Sequence, residues 1–483
     1  MQIKCKVKKN LLCRLLVLVI VALPLNVLRA DNVDSSSAKA VAAAFAYCKN
    51  IPGSPQLVAT LNSGHQSEAG AYIYNISDGG FVIVAANDCV KPIIAYSHQG
   101  HLDIHHLPPA FISYLHAKVD EVAFAQRLSL VAPANVSLAW SRLLNPASLK
   151  RRVKSAEYLL TTTWDQNWPY NMYCPVIDET TAPVGCVATA MSQIIRFWNH
   201  PVNGTGSSTY FCSACADRLT ADYENTTYDY DNMPDYLTYE SSDVEKDAVA
   251  TLCYHVGVSL MMRYGSTSSG VSMSHVGGYV SQALVNYFKY DSTTNYHNRG
   301  EFSDEYWVDT IRREIEDGRP VLYAGYDAGN DGSDAGHAFV LDGYDDETGY
   351  FHVNWGWSGG GDGWFDLYNS DLDVYGYHFS SAQVAVLGIK PRVEPDPDTV
   401  SISLIDSSSN LLSVYPNPSS SYITVSCLAH HPTQLRIMTI TGNIVESQPI
   451  TSGSHSLKID VSNYPRGIYF CAIGGYCVKF VVR

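Results

Sequence analysis

Residues 181–201 read TAPVGCVATAMSQIIRFWNHP. Val187, Ala190, Met191, Ile194, Ile195 and Trp198 recur every three or four residues, the spacing of one helix face packed on a core. Pro201 cannot continue a helix and marks its stop. Cys186 therefore falls in the first turn, where unpaired backbone N–H groups and the positive dipole end favour an anion. A thiolate is such an anion, and cysteine pKa values fall at helix N-termini. Gly185 carries no side chain beside the sulfur, so a substrate backbone has room to approach. A buried or disulfide-bonded cysteine at a helix start fits the same stretch, so the decision rests on a histidine elsewhere.

That histidine is His337, at the start of GHAFVLDGY (336–344). A turn over 345–349 follows, and the chain returns as YFHVNWGWSGGGDGWF (350–365). The pattern predicts a hairpin that brings His337 close to residues 354–357. A lone histidine at a strand start is commonly structural, so His337 counts only together with Cys186. Thiol catalysis needs a thiolate, an imidazole to take and return the proton, a group to orient that imidazole, and donors for the oxyanion. Asn354 offers a side-chain oxygen for the imidazole N–H. Strand parity about a turn near Glu347 instead puts Trp355 and Trp357 on the face of His337 and turns Asn354 away. Both readings stand, with Trp355 favoured as the neighbour in contact. Gly336 leaves the backbone beside the histidine free. Gln166, in TTTWDQNWPYN (161–171), lies 20 residues before Cys186. Its amide NH₂, with the backbone N–H of Cys186, would make a two-donor oxyanion hole. An exposed loop glutamine is the competing reading.

Working outward, the 483-residue chain is long for one domain. Few charged residues (16%) and 33 tyrosines suit an exported, β-rich protein, and a formal charge of −15 without a basic stripe argues against nucleic-acid binding. Residues 1–30 read as a signal peptide: a lysine-rich start, an apolar run from Leu15 to Leu25, and Ala30 before the cut. Residues 31–150 form a first unit of helices and paired strands without a catalytic constellation. Its His101, His105 and His106 are expected to be solvated. LKRRVK (149–154) is a basic, exposed segment open to proteolysis, placed as a zymogen would place it. Residues 151–391 run helices first and antiparallel strands afterwards, an α+β order. Residues 204–239 are expected to be loop-dominated, with Cys212 and Cys215 as a local disulfide or two free thiols. The YGSTSSG loop (264–270) has small residues fit to line a cleft. A Pro- and acid-rich linker covers 392–412, and 413–483 read as a small all-β unit.

TTTWDQNWPYN, PVGCVATAMSQIIRFWNHP, GHAFVLDGY and FHVNWGWSGGGDGWF, in this order, resemble the streptopain family of papain-like cysteine peptidases. The resemblance implies Cys186 as nucleophile, His337 as general base and acid, Gln166 as oxyanion donor, and Trp355 placed against the histidine. It also implies substrate contacts from the YGSTSSG loop, around Ser269, and from Gly336. The serine that follows SSG in streptopain-type loops is Val271 here, so a backbone contact survives and a hydroxyl contact does not. A preference for a hydrophobic residue two positions before the cut bond is implied as well. GGFVIVAANDCVKPIIAYS (79–97) is similar to the propeptides of such peptidases, implying that the first unit blocks the cleft until it is cleaved near 149–154. VYPNPSSSYITV (414–425), GIYF (467–470) and KFVVR (479–483) resemble the C-terminal sorting domain of type IX secretion. The expected protein is a secreted cysteine endopeptidase made as a zymogen, without metal or organic cofactor. Its partners would be protein and peptide substrates, its own propeptide and the type IX machinery, and its location the extracellular space or the outer-membrane surface. A surface adhesin on a peptidase-like fold without turnover is the alternative, and the joint presence of Cys186, His337 and Gln166 favours the enzyme.

Overall fold

The computed structural model describes residues 31–62, 68–128, 130–145, 147, 149–150, 156–271, 276–328, 334–366, 381–393, 412–429, 433–440, 443–473 and 476–483. The signal-peptide stretch 1–30, most of the basic segment (151–154) and most of the linker (394–411) lie outside them. The chain divides into two compact units, up to Val393 and from Glu394 onward.

In the larger unit, helix α1 (Ser35–Lys49) opens on Asp34, whose carboxylate accepts the Ser36 and Ser37 N–H groups at 2.8 Å, a side-chain N-cap. Strands β1 (Pro55–Asn62), β2 (Ala69–Ile76), β3 (Phe81–Ala85) and β4 (Ile93–Ser97) follow as an antiparallel meander. Helices α2 (Pro109–Leu128) and α3 (Ala134–Leu144) complete this part. A small hairpin, β5 (Val176–Ile177) and β6 (Thr180–Thr181), precedes α4 (Cys186–Trp198). Helix α4 ends at Asn199, in the left-handed conformation, two residues before Pro201. Its residues from Val187 to Ile195 are all buried. Burial is thus not confined to the one face that the apolar spacing predicts, because other segments close over the polar side as well.

Within the stretch expected to be loop, β7 (Ser207–Cys212) and β8 (Asp217–Asp222) form a hairpin. The Cys212–Cys215 disulfide sits at its turn. Alternating burial on β8 explains the strand: Leu219 and Ala221 face the core between exposed neighbours. Helix α5 (Asp243–Ser259) starts with a Ser242/Glu245 capping box, and α6 (Val276–Tyr287), β9 (Asn295–Asn298) and α7 (Asp304–Glu316) follow. Strands β10 (Val321–Ala328), β11 (Asp334–Asp345), β12 (Tyr350–Asn354), β13 (Gly363–Phe365) and β14 (Ser381–Leu387) complete the unit.

One antiparallel sheet of ten strands joins the two parts, in the order β1-β2-β3-β4-β13-β12-β11-β10-β14-β9. The junction pairs Trp364 with Tyr96 and Phe365 with Ala95, and the Tyr96 and Trp364 rings stack at 6.1 Å. Two apolar cores form. One gathers α1, α2 and the ring faces of Phe339, Trp355 and Phe365. The other surrounds α4, α5 and α6. The first part also grips the second by charge. Lys49, 2% exposed, donates to Asp345 and Glu347 at 2.6 Å each, and the Tyr96 hydroxyl donates to the same Asp345 oxygen at 2.5 Å.

The smaller unit is all β. Strands β15 (Leu412–Tyr415), β16 (Tyr422–Ala429), β17 (Thr433–Thr439), β18 (Ile444–Ile450), β19 (Gly453–Asp460), β20 (Gly467–Ile473) and β21 (Tyr476–Val482) form two sheets, ordered β15-β16-β19 and β18-β17-β20-β21. Alternate residues such as Ile423, Val425, Leu435, Ile437, Tyr469 and Cys471 share one core, the period-2 signature of a sandwich.

Removing one member of a buried ion pair leaves the other charge desolvated, which costs about 3–5 kcal/mol. Lys49→Met in the full-length protein is therefore expected to lower the unfolding free energy of the larger unit, read from urea titration, by an amount in that range. A loss under about 1 kcal/mol would show that Asp345 is held by its hydroxyl donors alone.

Candidate active site

Gly185 precedes α4 at φ +91°, a conformation L side chains rarely adopt. A Cβ there would also meet Met262 and the Ser269 carbonyl at 3.0 Å. Glycine is thus required both by the backbone and by the close approach of the 262–269 segment. It delivers Cys186 to the helix start, half-buried. The sulfur is in hydrogen-bonding contact with the His337 imidazole and with the backbone N–H groups of Ala338 and Val187. Burial pushes the thiol pKa up. The His337 charge, its hydrogen bond and the two N–H groups outweigh that and bring it below the ordinary thiol value. Burial likewise pushes His337 down, but the Cys186 charge and hydrogen bond, with the Trp355 carbonyl, raise it above the ordinary imidazole value. Each group moves toward the other, the condition for the proton to pass from sulfur to ring.

His337 Nε2 lies 3.1 Å from the Trp355 carbonyl oxygen. A carbonyl only accepts, so Nε2 carries the hydrogen and Nδ1 is left for the sulfur. The ring lies 6.3 Å from those of Phe339 and Trp355. The hydrogen bond to the ring thus comes from the main chain of Trp355, while the Trp355 indole N–H donates to the Gly361 carbonyl at 3.1 Å. Parity holds in the sense that the Trp355 ring neighbours His337. The Asn354 side chain points elsewhere: its Nδ2 donates to the Thr162 carbonyl at 2.7 Å, and its Oδ1 accepts from Gly356 N and Gln193 Nε2 at 3.0 Å each.

Gln166 is buried, and its carbonyl accepts the Val184 N–H at 2.8 Å, two residues before Cys186. This bond closes the sequence gap between the glutamine and the thiol. Asp165 accepts the Gln166 N–H at 2.7 Å and, through its other oxygen, the Ser358 hydroxyl at 2.7 Å. The Ser269 hydroxyl is buried without a hydrogen-bond partner, and Val271 is buried in the helical core. Gly336 pairs with Tyr326 in the β10–β11 ladder and stays half-buried. Among the described residues, no three His, Cys, Asp or Glu side chains group to hold a metal ion.

Two residues were missed in the sequence. Asp362, set among the glycines of SGGGDGW, accepts the Trp355 N–H at 2.8 Å. Burial pushes its carboxyl up to about 7. Gln193 lies seven residues after Cys186, two turns along the same face. That spacing was a readable signal for Gln193, whereas nothing in the pattern marks Asp362 beyond its isolation. On the far side of Trp355, Phe111 of α2 stacks at 6.0 Å, so the first part packs against the turn that holds His337.

A helical layer carrying a cysteine, set against an antiparallel sheet carrying a histidine, with the two in contact, defines a papain-like thiol peptidase. A model of the Peptidase C10 family matches residues 164–365, one described as Spi protease inhibitor matches 30–122, and one described as Secretion system C-terminal sorting domain matches 413–479. The chain is 32% identical over 350 residues to streptopain of Streptococcus pyogenes serotype M1, a match covering 68% of this chain and 82% of that protein. It is 30% identical over 405 residues to the thiol protease/hemagglutinin PrtT of Porphyromonas gingivalis, covering 79% of this chain and 44% of that protein. Among solved structures, a fragment of prointerpain A from Prevotella intermedia matches with a TM-score of 0.54 and 30% identity, over 70% of this chain and 100% of that one. The chain belongs to the Peptidase C10, or streptopain, family. It is a cysteine peptidase with an inhibitor-type propeptide domain and a type IX sorting tail that marks it for export.

A carboxyl raised to about 7 binds its proton more tightly in the folded than in the unfolded chain. Stability from Asp362 therefore falls as pH rises from the unfolded carboxylate range through that value. Asp362→Asn keeps an acceptor for Trp355 N–H and removes the titration. Its Tm is expected to gain on wild type progressively from pH 5 to pH 8. A Tm difference that does not change with pH would contradict this reading.

Proposed function

We propose that this chain is a secreted cysteine endopeptidase, made as an inactive precursor, that cuts peptide bonds with Cys186 and His337. The observation that carries the reading is the contact between the Cys186 sulfur and the His337 imidazole at the start of α4. The Cys186 proton passes to Nδ1, and the thiolate attacks the scissile carbonyl carbon. The negative charge that moves onto the carbonyl oxygen is met by the Cys186 N–H and the Gln166 amide. The imidazolium returns its proton to the leaving amine, which departs and leaves a thioester. His337 then takes a proton from water, hydroxide attacks the thioester, and the acid is released with the thiol restored. The Trp355 carbonyl keeps Nε2 protonated throughout, so only Nδ1 exchanges protons with the reactants.

Backbone groups at Gly336 and Ser269 would hold an extended substrate beside the sulfur. Residues 31–150 act as the inhibitory propeptide of the peptidase domain 151–391, and residues 392–412 link it to the sorting domain 413–483. Cleavage in the basic 149–154 segment is assigned to the enzyme itself, and export is assigned to the signal peptide and the type IX machinery.

An epoxide that alkylates thiolates should label Cys186 in the processed protein, and casein hydrolysis should vanish in Cys186→Ala. An unlabelled Cys186, or hydrolysis that survives the substitution, would overturn the peptidase mechanism. Gln166→Ala is expected to lower kcat about 10²- to 10³-fold, the usual loss for one oxyanion donor; a loss under about threefold would remove Gln166 from the hole. In a purified preparation the Cys186→Ala precursor should stay full-length. Maturation at the wild-type rate would rule out self-processing.

A further inference from the structure

We infer that Gln193 and Asn354 are positioning residues that hold the nucleophile, the imidazole and the oxyanion segment in one frame from beneath the site. The inference rests on the dyad proposed above. Its starting point is the Trp355–Gly356 peptide unit. The carbonyl of that unit accepts from His337 Nε2 at 3.1 Å. The N–H of the same unit, on Gly356, donates to Asn354 Oδ1 at 3.0 Å. A peptide unit is planar, so fixing its N–H fixes the direction of its carbonyl. The ring orientation of His337 is thereby tied to the Asn354 side chain.

Asn354 is itself held from the nucleophile helix. Gln193 Nε2 donates to the same Asn354 Oδ1 at 3.0 Å, and Asn354 Nδ2 approaches Gln193 Oε1 at 3.3 Å. Gln193 Oε1 also accepts the Trp164 N–H at 3.1 Å, while Asn354 Nδ2 donates to the Thr162 carbonyl at 2.7 Å. The amide orientations follow from these main-chain partners. Gly356 N–H and Trp164 N–H require acceptors, and the Thr162 carbonyl requires a donor. Gln193 is 0% exposed and Asn354 3%. A buried amide pair with its hydrogen bonds made is rigid, and breaking it leaves several polar groups unmet.

Three segments converge on this pair. Helix α4 carries Cys186 two turns before Gln193. The Trp355 turn carries the carbonyl for His337. Residues 162–164 lead directly into Gln166. Gly356 also sits so close to α4 that a Cβ on it would meet Thr189 Cγ2 at 3.1 Å. The pair does not touch the reacting atoms, and it sets where they stand.

Gln193→Leu keeps the bulk and removes the hydrogen bonds. It is expected to lower kcat at least tenfold with KM changed by less than threefold. It should also move the midpoint of Cys186 alkylation by iodoacetamide upward by about half a pH unit or more, because a loosened imidazole stabilises the thiolate less. Gln193→Glu still accepts from Trp164 but can donate to Asn354 only when protonated. Its deficit should therefore be smaller at pH 5.5 than at pH 8, relative to wild type at each pH. If Gln193→Leu does not fold, the Glu variant carries the test alone. A kcat within threefold of wild type with an unmoved midpoint would overturn the inference. So would a loss explained by a lower Tm with the midpoint unchanged, or a Glu deficit independent of pH. Failure of the wild type to be alkylated at Cys186 would overturn the dyad itself, and is read separately in that control.

Discussion

A sulfur and an imidazole share a proton usefully only while they stay within hydrogen-bonding reach, and this one contact organises the larger unit. Neither group is held by the other. Cys186 is delivered by a helix whose start depends on the left-handed Gly185 and on the close approach of Met262 and Ser269. His337 comes from β11, in the interior of a ten-stranded sheet, and its outer nitrogen is held by a main-chain carbonyl. The helix dipole, two backbone N–H groups and the imidazole favour the anionic sulfur against the cost of burial. The placement of both partners in packed, hydrogen-bonded surroundings lets the pair exist before any substrate arrives.

The same sheet explains why the first part of the chain is more than a cap. It extends the peptidase sheet through β4 and β13 and covers the Tyr96–Trp364 stack. It also supplies the ammonium groups of Lys49 and Lys91 to Asp345 and Asp366. Cutting the chain near residue 150 breaks none of these contacts. Departure of the propeptide domain would turn β13 into a sheet edge and leave two carboxylates without those cations, so separation costs far more than the loss of one peptide bond.

Much of this was legible in the sequence, and the misses share a cause. The period of VATAMSQIIRFW placed the helix, and the turn at 345–349 placed His337 opposite the Trp355 segment. Parity then put the Trp355 ring on the correct face. For the partner of the imidazole the sequence offers two side chains, Asn354 and Trp355; every residue carries a main-chain carbonyl, so no residue type marks the one at Trp355 that accepts from His337. Gln193 reads as a solvated position because a polar residue on an amphipathic helix ordinarily is one; here helix α4 is buried nearly all round. The β7–β8 hairpin was hidden by Tyr, Asp and Ser residues that alternate only weakly in hydrophobicity. Pairing of β4 with β13 joins residues far apart in the chain, and no local pattern encodes it.

The central claim is that contact with His337 holds the Cys186 thiol below its ordinary range in spite of burial. The direct measurement is the ultraviolet thiolate absorbance of the processed enzyme, titrated with pH and differenced against Cys186→Ala. The expected result is a thiolate signal whose midpoint lies below the free-cysteine range of roughly pH 8.5. A midpoint in that range or above it would mean that burial outweighs the imidazole and would contradict this account.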